Sequence, residues 1–213
     1  MMFPRLSEIP RLVLLVLFAL LFLFPFIYMI AFSIKPVGEI FAGSLSLLPE
    51  SWSGLANFPD ALRAAPLLRY LMNGVIVCAG ILGFQLLFAV PCAFALAKLR
   101  FRGKSVVLGL VLFGLLIPIQ ATALPMYLGL AILGLLDTYA ALIVPFVASV
   151  FAVFLFRQYF LTIPDDLLNA ARLDGCGEFS VMVRIVLPLI TPAATAFGIF
   201  SVVSHWNDLF WPL

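Results

Sequence analysis

The chain has 213 residues, of which 65% are hydrophobic and only 10% are charged, and its formal net charge is +2. Soluble globular domains carry roughly 25% charged residues, so the composition excludes an ordinary water-soluble domain. The apolar residues fall into blocks of about 20, which is the length a helix needs to cross a hydrocarbon layer of about 30 Å. We therefore expect an all-α polytopic membrane protein.

Five of these blocks are predicted to be transmembrane helices within a single domain, residues 1–213. They cover about residues 12–33, 71–97, 105–128, 139–157 and 189–213. The first block is longer than the apolar region of a cleavable signal peptide, so we expect it to be retained. Residues 34–70 are predicted to form an external loop with a short interfacial helix around Phe58–Leu68, and residues 158–188 a cytoplasmic loop.

The positions of Lys and Arg predict the orientation of the chain, because these residues concentrate in cytoplasmic loops. Of the 12 Lys and Arg residues, all but Lys35, Arg63 and Arg69 lie in the N-terminal tail, in KLRFRGK (98–104) or in segment 157–184. The N-terminus is therefore predicted to be cytoplasmic. We interpret KLRFRGK as a topology determinant, with a lipid- or nucleotide-binding patch as the alternative.

The third apolar block is interrupted by LLIPIQATALPMY, which places Gln120 and Thr122 between Pro118 and Pro125. Proline removes a backbone donor and kinks a helix, and polar side chains at membrane depth usually face a bundle interior or a water-filled cavity. Two interpretations remain open here: a packing kink, and a helix bent around a translocation path.

The loop between the fourth and fifth blocks has the pattern of a helix–turn–helix. IPDD (163–166) is typical of a helix start, because carboxylates complement the positive helix end. The next residues, DDLLNAARL, are predicted to form about two turns with Ala170 and Ala171 as a flat patch on one side. Gly175 is predicted to end this helix, and a second one is expected over about 178–185. An amphipathic linker lying on the lipid is the alternative interpretation.

This loop resembles the cytoplasmic loop of ATP-binding-cassette importer permeases, whose signature is E-A-A, three residues, G, nine residues and I-x-L-P. The matching positions are Ala170, Ala171, Gly175, Ile185, Leu187 and Pro188. Segments along nearly the whole chain are similar to the second permease of the maltose- or glycerol-phosphate-type branch. They are SIKPVGEIFAGSLSLLP, ALAKLRFRGK, LGLLDTYAALIVP, LFRQYFLTIPDDL and WNDLFWPL.

The resemblance implies an importer-permease (MetI-like) helical bundle in a prokaryotic inner membrane. Six transmembrane helices are expected in that family and five are found here, so the chain is expected to be truncated at its C-terminus. The implied partners are a second permease, a cytoplasmic ATPase dimer that holds ATP-Mg, an external solute-binding protein and the lipid bilayer. No nucleic acid, no cofactor bound by this chain and no catalytic or metal-ligating residues are expected.

The resemblance also implies which residues act. The coupling loop to the ATPase is expected to use Asn169, Ala170, Ala171, Asp174, Gly175, Ile185, Leu187 and Pro188. Asn169 departs from the family pattern, because a neutral amide replaces the leading glutamate. Candidate translocation-path residues are Gln120, Thr122, Trp206, Asn207 and Asp208, although the segment around His205 is also interpreted as an interfacial aromatic anchor. Asp137 is interpreted as a helix cap.

The predicted function is that of a membrane-spanning subunit of an ATP-driven importer for a sugar or related solute. One alternative is a permease for a non-sugar solute such as glycerol phosphate or a polyol. An alternative of another class is a membrane scaffold that recruits a cytoplasmic partner without moving a solute.

Overall fold

The computed structural model describes residues 9–41 and 46–212, so Arg5 of the basic tail and Leu213 lie outside the described residues. The chain divides into two units, residues 1–70 and residues 71–213. The first unit contains α1 (Ile9–Ser33), α2 (Val37–Phe41), a 3-10 turn (Trp52–Ala56) and α3 (Asn57–Ala64). Within the described residues all regular structure is helical, which confirms the predicted fold class.

The described part of the loop that follows α1 is held together by polar contacts. Lys35 is buried, and its ammonium donates to the backbone carbonyl of Ser46. The Asn57 side-chain amide donates to the Lys35 carbonyl at 2.8 Å. The Glu39 carboxylate accepts the backbone N–H of Ser51 at 3.1 Å. The described part of this loop is therefore tied together by hydrogen bonds between its segments.

Most of α4 (Leu67–Lys98) belongs to the second unit, which also contains three bent helix pairs. The first pair is α5 (Lys104–Gly114) and α6 (Ile119–Ile132), with a bend of 101° between them. The second pair is α7 (Tyr139–Ile143), which a 3-10 turn (Val144–Phe146) extends, and α8 (Val150–Thr162), with a bend of 42°. The third pair is segment Glu178–Leu189 and α12 (Thr191–Trp206), with a bend of 74°. Two described helices, α1 and α4, are long and apolar enough to cross a membrane alone. If each bent pair is one span, the described part of the chain has up to five.

The described helices refine two predictions about the apolar blocks. The third block breaks between Gly114 and Ile119, where Pro118 lacks the backbone donor that would continue the helix. The fifth block was expected to stay helical to its end, but α12 ends at Trp206. The reason is local: the Asp208 carboxylate accepts the backbone N–H groups of Phe210 and Trp211, which folds the chain into a turn.

One apolar core joins the second half of α4, α8, the predicted cytoplasmic loop and the start of α12. Phe94 of α4 meets Phe160 of α8 edge to face, with ring centroids 5.9 Å apart. Phe156 meets Phe197 of α12 in the same way at 5.5 Å. The loop contributes Ile163, Leu168, Ala171, Val181, Met182 and Val186 to this core. The predicted cytoplasmic loop is therefore packed against α4, α8 and α12 through this shared core.

Candidate functional site

The predicted coupling loop begins where α8 ends. Helix α9 (Asp165–Leu173) starts directly after Pro164, as IPDD predicts. Lys98, the last residue of α4, donates to the Asp165 carboxylate at 2.6 Å and to the Ile163 carbonyl at 2.6 Å. This hydrogen bond and the positive charge of Lys98 lower the pKa of the Asp165 carboxyl below its ordinary value.

The two alanines of α9 do not form the flat exposed patch that we expected. Ala170 is exposed, whereas Ala171 is buried in the core beside Leu168. Residues 168 and 171 are three apart on a helix and therefore share one face. That face packs against the protein itself, so the structure favours the helix–turn–helix over a linker lying on the lipid.

The turn after α9 is a Schellman motif, in which a residue with positive φ closes the helix. Gly175 has φ of +83°, and its N–H donates to the carbonyl of Arg172 at 3.0 Å. The N–H of Cys176 donates to the carbonyl of Ala171 at 3.0 Å. Asp174 is exposed at the helix C-terminus. The predicted role of Gly175 as the helix end agrees with this geometry.

A pair of charges joins the two arms of the loop. The Arg172 guanidinium donates to both carboxylate oxygens of Glu178, at 2.7 and 3.1 Å, and this contact raises the pKa of Arg172. A third donor of Arg172 reaches the side-chain oxygen of Asn169 at 3.0 Å. Asn169 therefore has a partner within the loop, while remaining exposed.

The second arm leads back toward α12. It consists of α10 (Glu178–Ser180), a π-helical stretch (Val181–Val186) and α11 (Leu187–Leu189). Ile185 is half-buried, whereas Leu187 and Pro188 are exposed. Single π-turns inside helices are common at functional sites.

Sequence reasoning missed the most exposed apolar side chains of the loop. Leu173 is 89% exposed and Phe179 is 75% exposed. Both flank the Gly175 turn, on the same part of the loop as exposed Ala170 and Asp174. Leu173 lies three residues after Ala170, a helical spacing that already indicated a shared face.

The candidate path residues have mostly local partners. The Thr122 hydroxyl donates to the Ile119 carbonyl at 2.8 Å, and Gln120 is exposed. The Asn207 amide donates to the Val203 carbonyl at 2.8 Å. Among the described residues no hydrogen bond joins Gln120 or Thr122 to segment 206–208.

The aromatic residues near the end of α12 are held by packing. A methyl group added at Gly74 would lie 3.1 Å from the Trp206 ring, so this glycine allows the indole to approach α4 closely. Trp211 donates its indole N–H to the Ala141 carbonyl at 3.0 Å and meets Phe146 edge to face at 5.8 Å. For Trp211 the geometry favours the anchor interpretation.

An interior polar cluster was not predicted. Gln85 of α4 is 4% exposed, and its amide donates to the Phe146 carbonyl at 3.0 Å. The Ser201 hydroxyl donates to the Gln85 side-chain oxygen at 2.7 Å, and Nδ1 of His205 donates to the Ser201 carbonyl at 2.7 Å. These partners lie as much as 116 residues apart in sequence, so the only available signal was a lone glutamine in an apolar block.

The interpretation of Asp137 as a helix cap is wrong. Asp137 has φ of +60°, and the N-cap of α7 is the next residue, Thr138, whose hydroxyl accepts the Ala141 N–H. An N-cap needs extended backbone angles, which Asp137 does not have. Within the described residues there is no cluster of His, Cys, Asp or Glu that would hold a metal ion.

Comparison with known proteins gives a consistent group of relatives. Residues 85–213 match the family described as "Binding-protein-dependent transport system inner membrane component". The arabinooligosaccharides transport system permease protein AraQ of Bacillus subtilis (strain 168) is 33% identical over 197 residues, which are 92% of this chain and 70% of that protein. The sn-glycerol-3-phosphate transport system permease protein UgpE of Agrobacterium fabrum is 34% identical over 206 residues, covering 93% of this chain and 73% of that protein.

One solved structure has a similar fold. It is a bacterial ABC transporter involved in the import of the acidic polysaccharide alginate. The match has a TM-score of 0.84 and 30% sequence identity, and it covers 99% of this chain and 76% of that one. This likeness extends over both the helices and the loop described above.

Proposed function

Since the chain belongs to the family of binding-protein-dependent transport system inner membrane components, we propose that segment 165–188 is its contact with a cytoplasmic ATPase. Membership makes the chain a membrane-spanning, non-catalytic permease subunit of an importer. The partners are then a second permease, an ATPase dimer that holds ATP-Mg and an external solute-binding protein. The chain lies in the inner membrane with its N-terminus in the cytoplasm.

The observation that carries the proposal is the exposed apolar surface around the Gly175 turn. Leu173 and Phe179 are exposed beside small Ala170, while the other face of α9 is packed into the core. Large apolar side chains grouped on a rigid, water-facing element are typical of a protein interface. Asn169, Asp174, Ile185, Leu187 and Pro188 complete the proposed coupling loop.

Docking is tested in the complex reconstituted with the second permease, the ATPase and the solute-binding protein. Leu173→Gln and Phe179→Gln are each expected to reduce co-purification of the ATPase. Leu209→Gln is the matched control, because Leu209 is an exposed leucine outside the loop. Unchanged ATPase recovery in both loop variants would contradict the docking surface.

We further propose a neutral solute, such as a sugar, for the path to which this chain contributes. The candidate path side chains Gln120, Thr122, Trp206 and Asn207 offer amide, hydroxyl and indole groups, which suit sugar hydroxyls and ring faces. Helices α6 and α12 contain no Lys or Arg, the residues that recognise a phosphate ester. The relatives named for sn-glycerol 3-phosphate make that ester the second candidate.

Solute choice is tested by uptake into proteoliposomes that contain the assembled importer. A panel of oligosaccharides and sn-glycerol 3-phosphate is offered with the cognate solute-binding protein. The proposal expects uptake of an oligosaccharide that falls in Gln120→Ala or Asn207→Ala. Uptake of sn-glycerol 3-phosphate alone would assign the second candidate, and a chain that binds the ATPase but supports no uptake would indicate a scaffold.

Orientation is tested by labelling single cysteines after Cys78, Cys92 and Cys176 are replaced. Phe101→Cys is expected to react only from the cytoplasmic side, and Leu55→Cys only from outside. Leu55 is chosen instead of its neighbour Gly54, because a Cβ added at Gly54 would lie 2.3 Å from the Ile34 carbonyl oxygen and could not be accommodated. The reverse labelling pattern would remove the loop from contact with any cytoplasmic ATPase.

A further inference from the structure

The contact between Lys98 and the start of the coupling loop is more than a surface ion pair. Lys98 lies in KLRFRGK, which the sequence explains as a topology determinant. Only 6% of its side chain is exposed, although Asp165 on the other side of the contact is 74% exposed. A buried ammonium group is costly unless it is paired and hydrogen-bonded, so this position requires its partners.

Both partners of Lys98 lie at the hinge between α8 and α9. The Ile163 carbonyl accepts one hydrogen bond, and the Asp165 carboxylate accepts another. Ile163 and Pro164 are extended, with ψ of 126° and 135°, and Pro164 has no N–H to donate. No helical hydrogen-bond ladder therefore continues from α8 into α9, and Lys98 closes the gap from a third helix.

Apolar contacts beside the hinge hold α4 and α8 together. Phe94 lies one turn before Lys98, and its ring packs edge to face on Phe160, three residues before Ile163. Arg157 of α8 donates to the Leu96 carbonyl of α4 at 3.3 Å. The cytoplasmic ends of α4 and α8 consequently form one body, on which the start of α9 is fixed.

We propose that Lys98 is a positioning residue that fixes the start of the coupling loop to the end of α4, so that displacement of α9 moves α4. Leu168 and Ala171 pack the middle of α9 into the core, and Lys98 adds a fixed point at its first turn, where the extended residues 163–164 would otherwise absorb part of the displacement. The inference rests on the proposed function of the loop, because it concerns how motion at the ATPase contact enters the transmembrane helices. Exposed Arg100 and Arg102 keep the topological role of the segment.

The test compares variants in the complete importer, reconstituted with the second permease, the ATPase and the solute-binding protein. Lys98→Met is expected to retain the ATPase at the wild-type level but to reduce solute transported per ATP hydrolysed by about tenfold. Lys98→Arg restores a donor to both acceptors and is expected to recover most of the coupling. Arg102→Met is the matched control, because it removes one positive charge from the same segment at an exposed position, and it is expected to couple normally.

A double-mutant cycle separates a shared contact from two independent effects. Asp165→Asn is expected to lower coupling less than Lys98→Met, because the Ile163 carbonyl still accepts from Lys98. The double variant is expected to be no worse than Lys98→Met alone. If Lys98→Met does not assemble, Asp165→Asn carries the test, and normal coupling in that variant overturns the proposal.

Two further outcomes distinguish this inference from the function on which it rests. Normal coupling of Lys98→Met with the ATPase bound overturns the positioning role and leaves the docking surface intact. The second outcome is that Lys98→Met and Lys98→Arg both lose ATPase binding while Asp165→Asn couples normally. Lys98 would then be merely structural, and the positioning role would again be overturned. Failure of the docking surface itself is detected separately, as wild-type ATPase recovery in both Leu173→Gln and Phe179→Gln.

Discussion

Two polar clusters within residues 71–212 are built from different kinds of side chain. The loop cluster is charged: Lys98 pairs with Asp165, and Arg172 pairs with Glu178. The interior cluster, Gln85 with Ser201 and His205, is joined by one hydrogen bond between side chains and by two from side chains to backbone carbonyls. The first joins the predicted cytoplasmic loop to the end of α4, and the second lies among apolar helices.

The difference follows from the surroundings of each cluster. In the loop cluster the Asp165 carboxylate is exposed and remains solvated, whereas the Lys98 side chain is only 6% exposed and depends on its two acceptors. Between apolar helices no bulk water is available, so each polar group must find a partner within the protein. We infer that the interior cluster sets how the helices pack, whereas the loop cluster sets how the loop segments move together.

The most severe change to the interior cluster is expected from Gln85→Leu. It leaves the Phe146 carbonyl and the Ser201 hydroxyl without their partner, which we expect to cost about 1–3 kcal/mol in the free energy of unfolding. Thermal unfolding of the detergent-solubilised importer measures this cost. Gln120→Leu is the control, because Gln120 is exposed, and equal stability of the two variants would contradict a structural role for Gln85.

The loop turn is tested by a series at Gly175. The left-handed conformation costs a residue with a Cβ about 1–2 kcal/mol, and asparagine tolerates it best. We expect ATPase association to be strongest in Gly175→Asn, weaker in Gly175→Ala and weakest in Gly175→Val. This order reports backbone strain alone, because a Cβ added at position 175 meets no atom within 4 Å. Gly177→Ala should associate normally, since Gly177 has φ of −70°; the same loss at both glycines would exclude the strain explanation.

How much could be predicted from the sequence differs between the two clusters. The start of α9 at Asp165, its end before Gly175 and the break at Pro118 depend on neighbouring residues, and all three were predictable. The contacts Lys98–Asp165 and Gln85–Ser201 join residues 67 and 116 positions apart, which no local pattern indicates. The burial of Ala171 depended likewise on which face of α9 meets the core.

A smaller effect is expected where the loop departs from its family pattern. In Asn169→Glu a carboxylate would face Arg172 three residues later, and such a helical pair adds about 0.2–0.5 kcal/mol. Slower amide exchange at Asp174 to Cys176, the N–H groups that close α9, measures this gain. Asn169→Gln is the uncharged control of equal length, and an equal slowing in both variants would show that charge is not responsible.

The smallest effect is expected from pH, because the lowered pKa of the Asp165 carboxyl keeps this group ionised throughout the physiological range. The pKa of Asp165 is lowered in the folded protein by Lys98, with smaller contributions from Arg172 and Arg100. A carboxyl with a depressed folded pKa stabilises the fold at pH values above its unfolded pKa, about 3.9, and this contribution is lost as pH falls through the lower folded value.

The coupling defect of Lys98→Met relative to wild type should therefore be the same at pH 6 and pH 8 in proteoliposomes. Carbon-13 NMR of the Asp165 carboxyl should show its titration midpoint rising toward the ordinary value in Lys98→Met, and not in Arg102→Met. If the coupling of Lys98→Met divided by the coupling of wild type changes between pH 6 and pH 8, another titrating group controls the start of the loop.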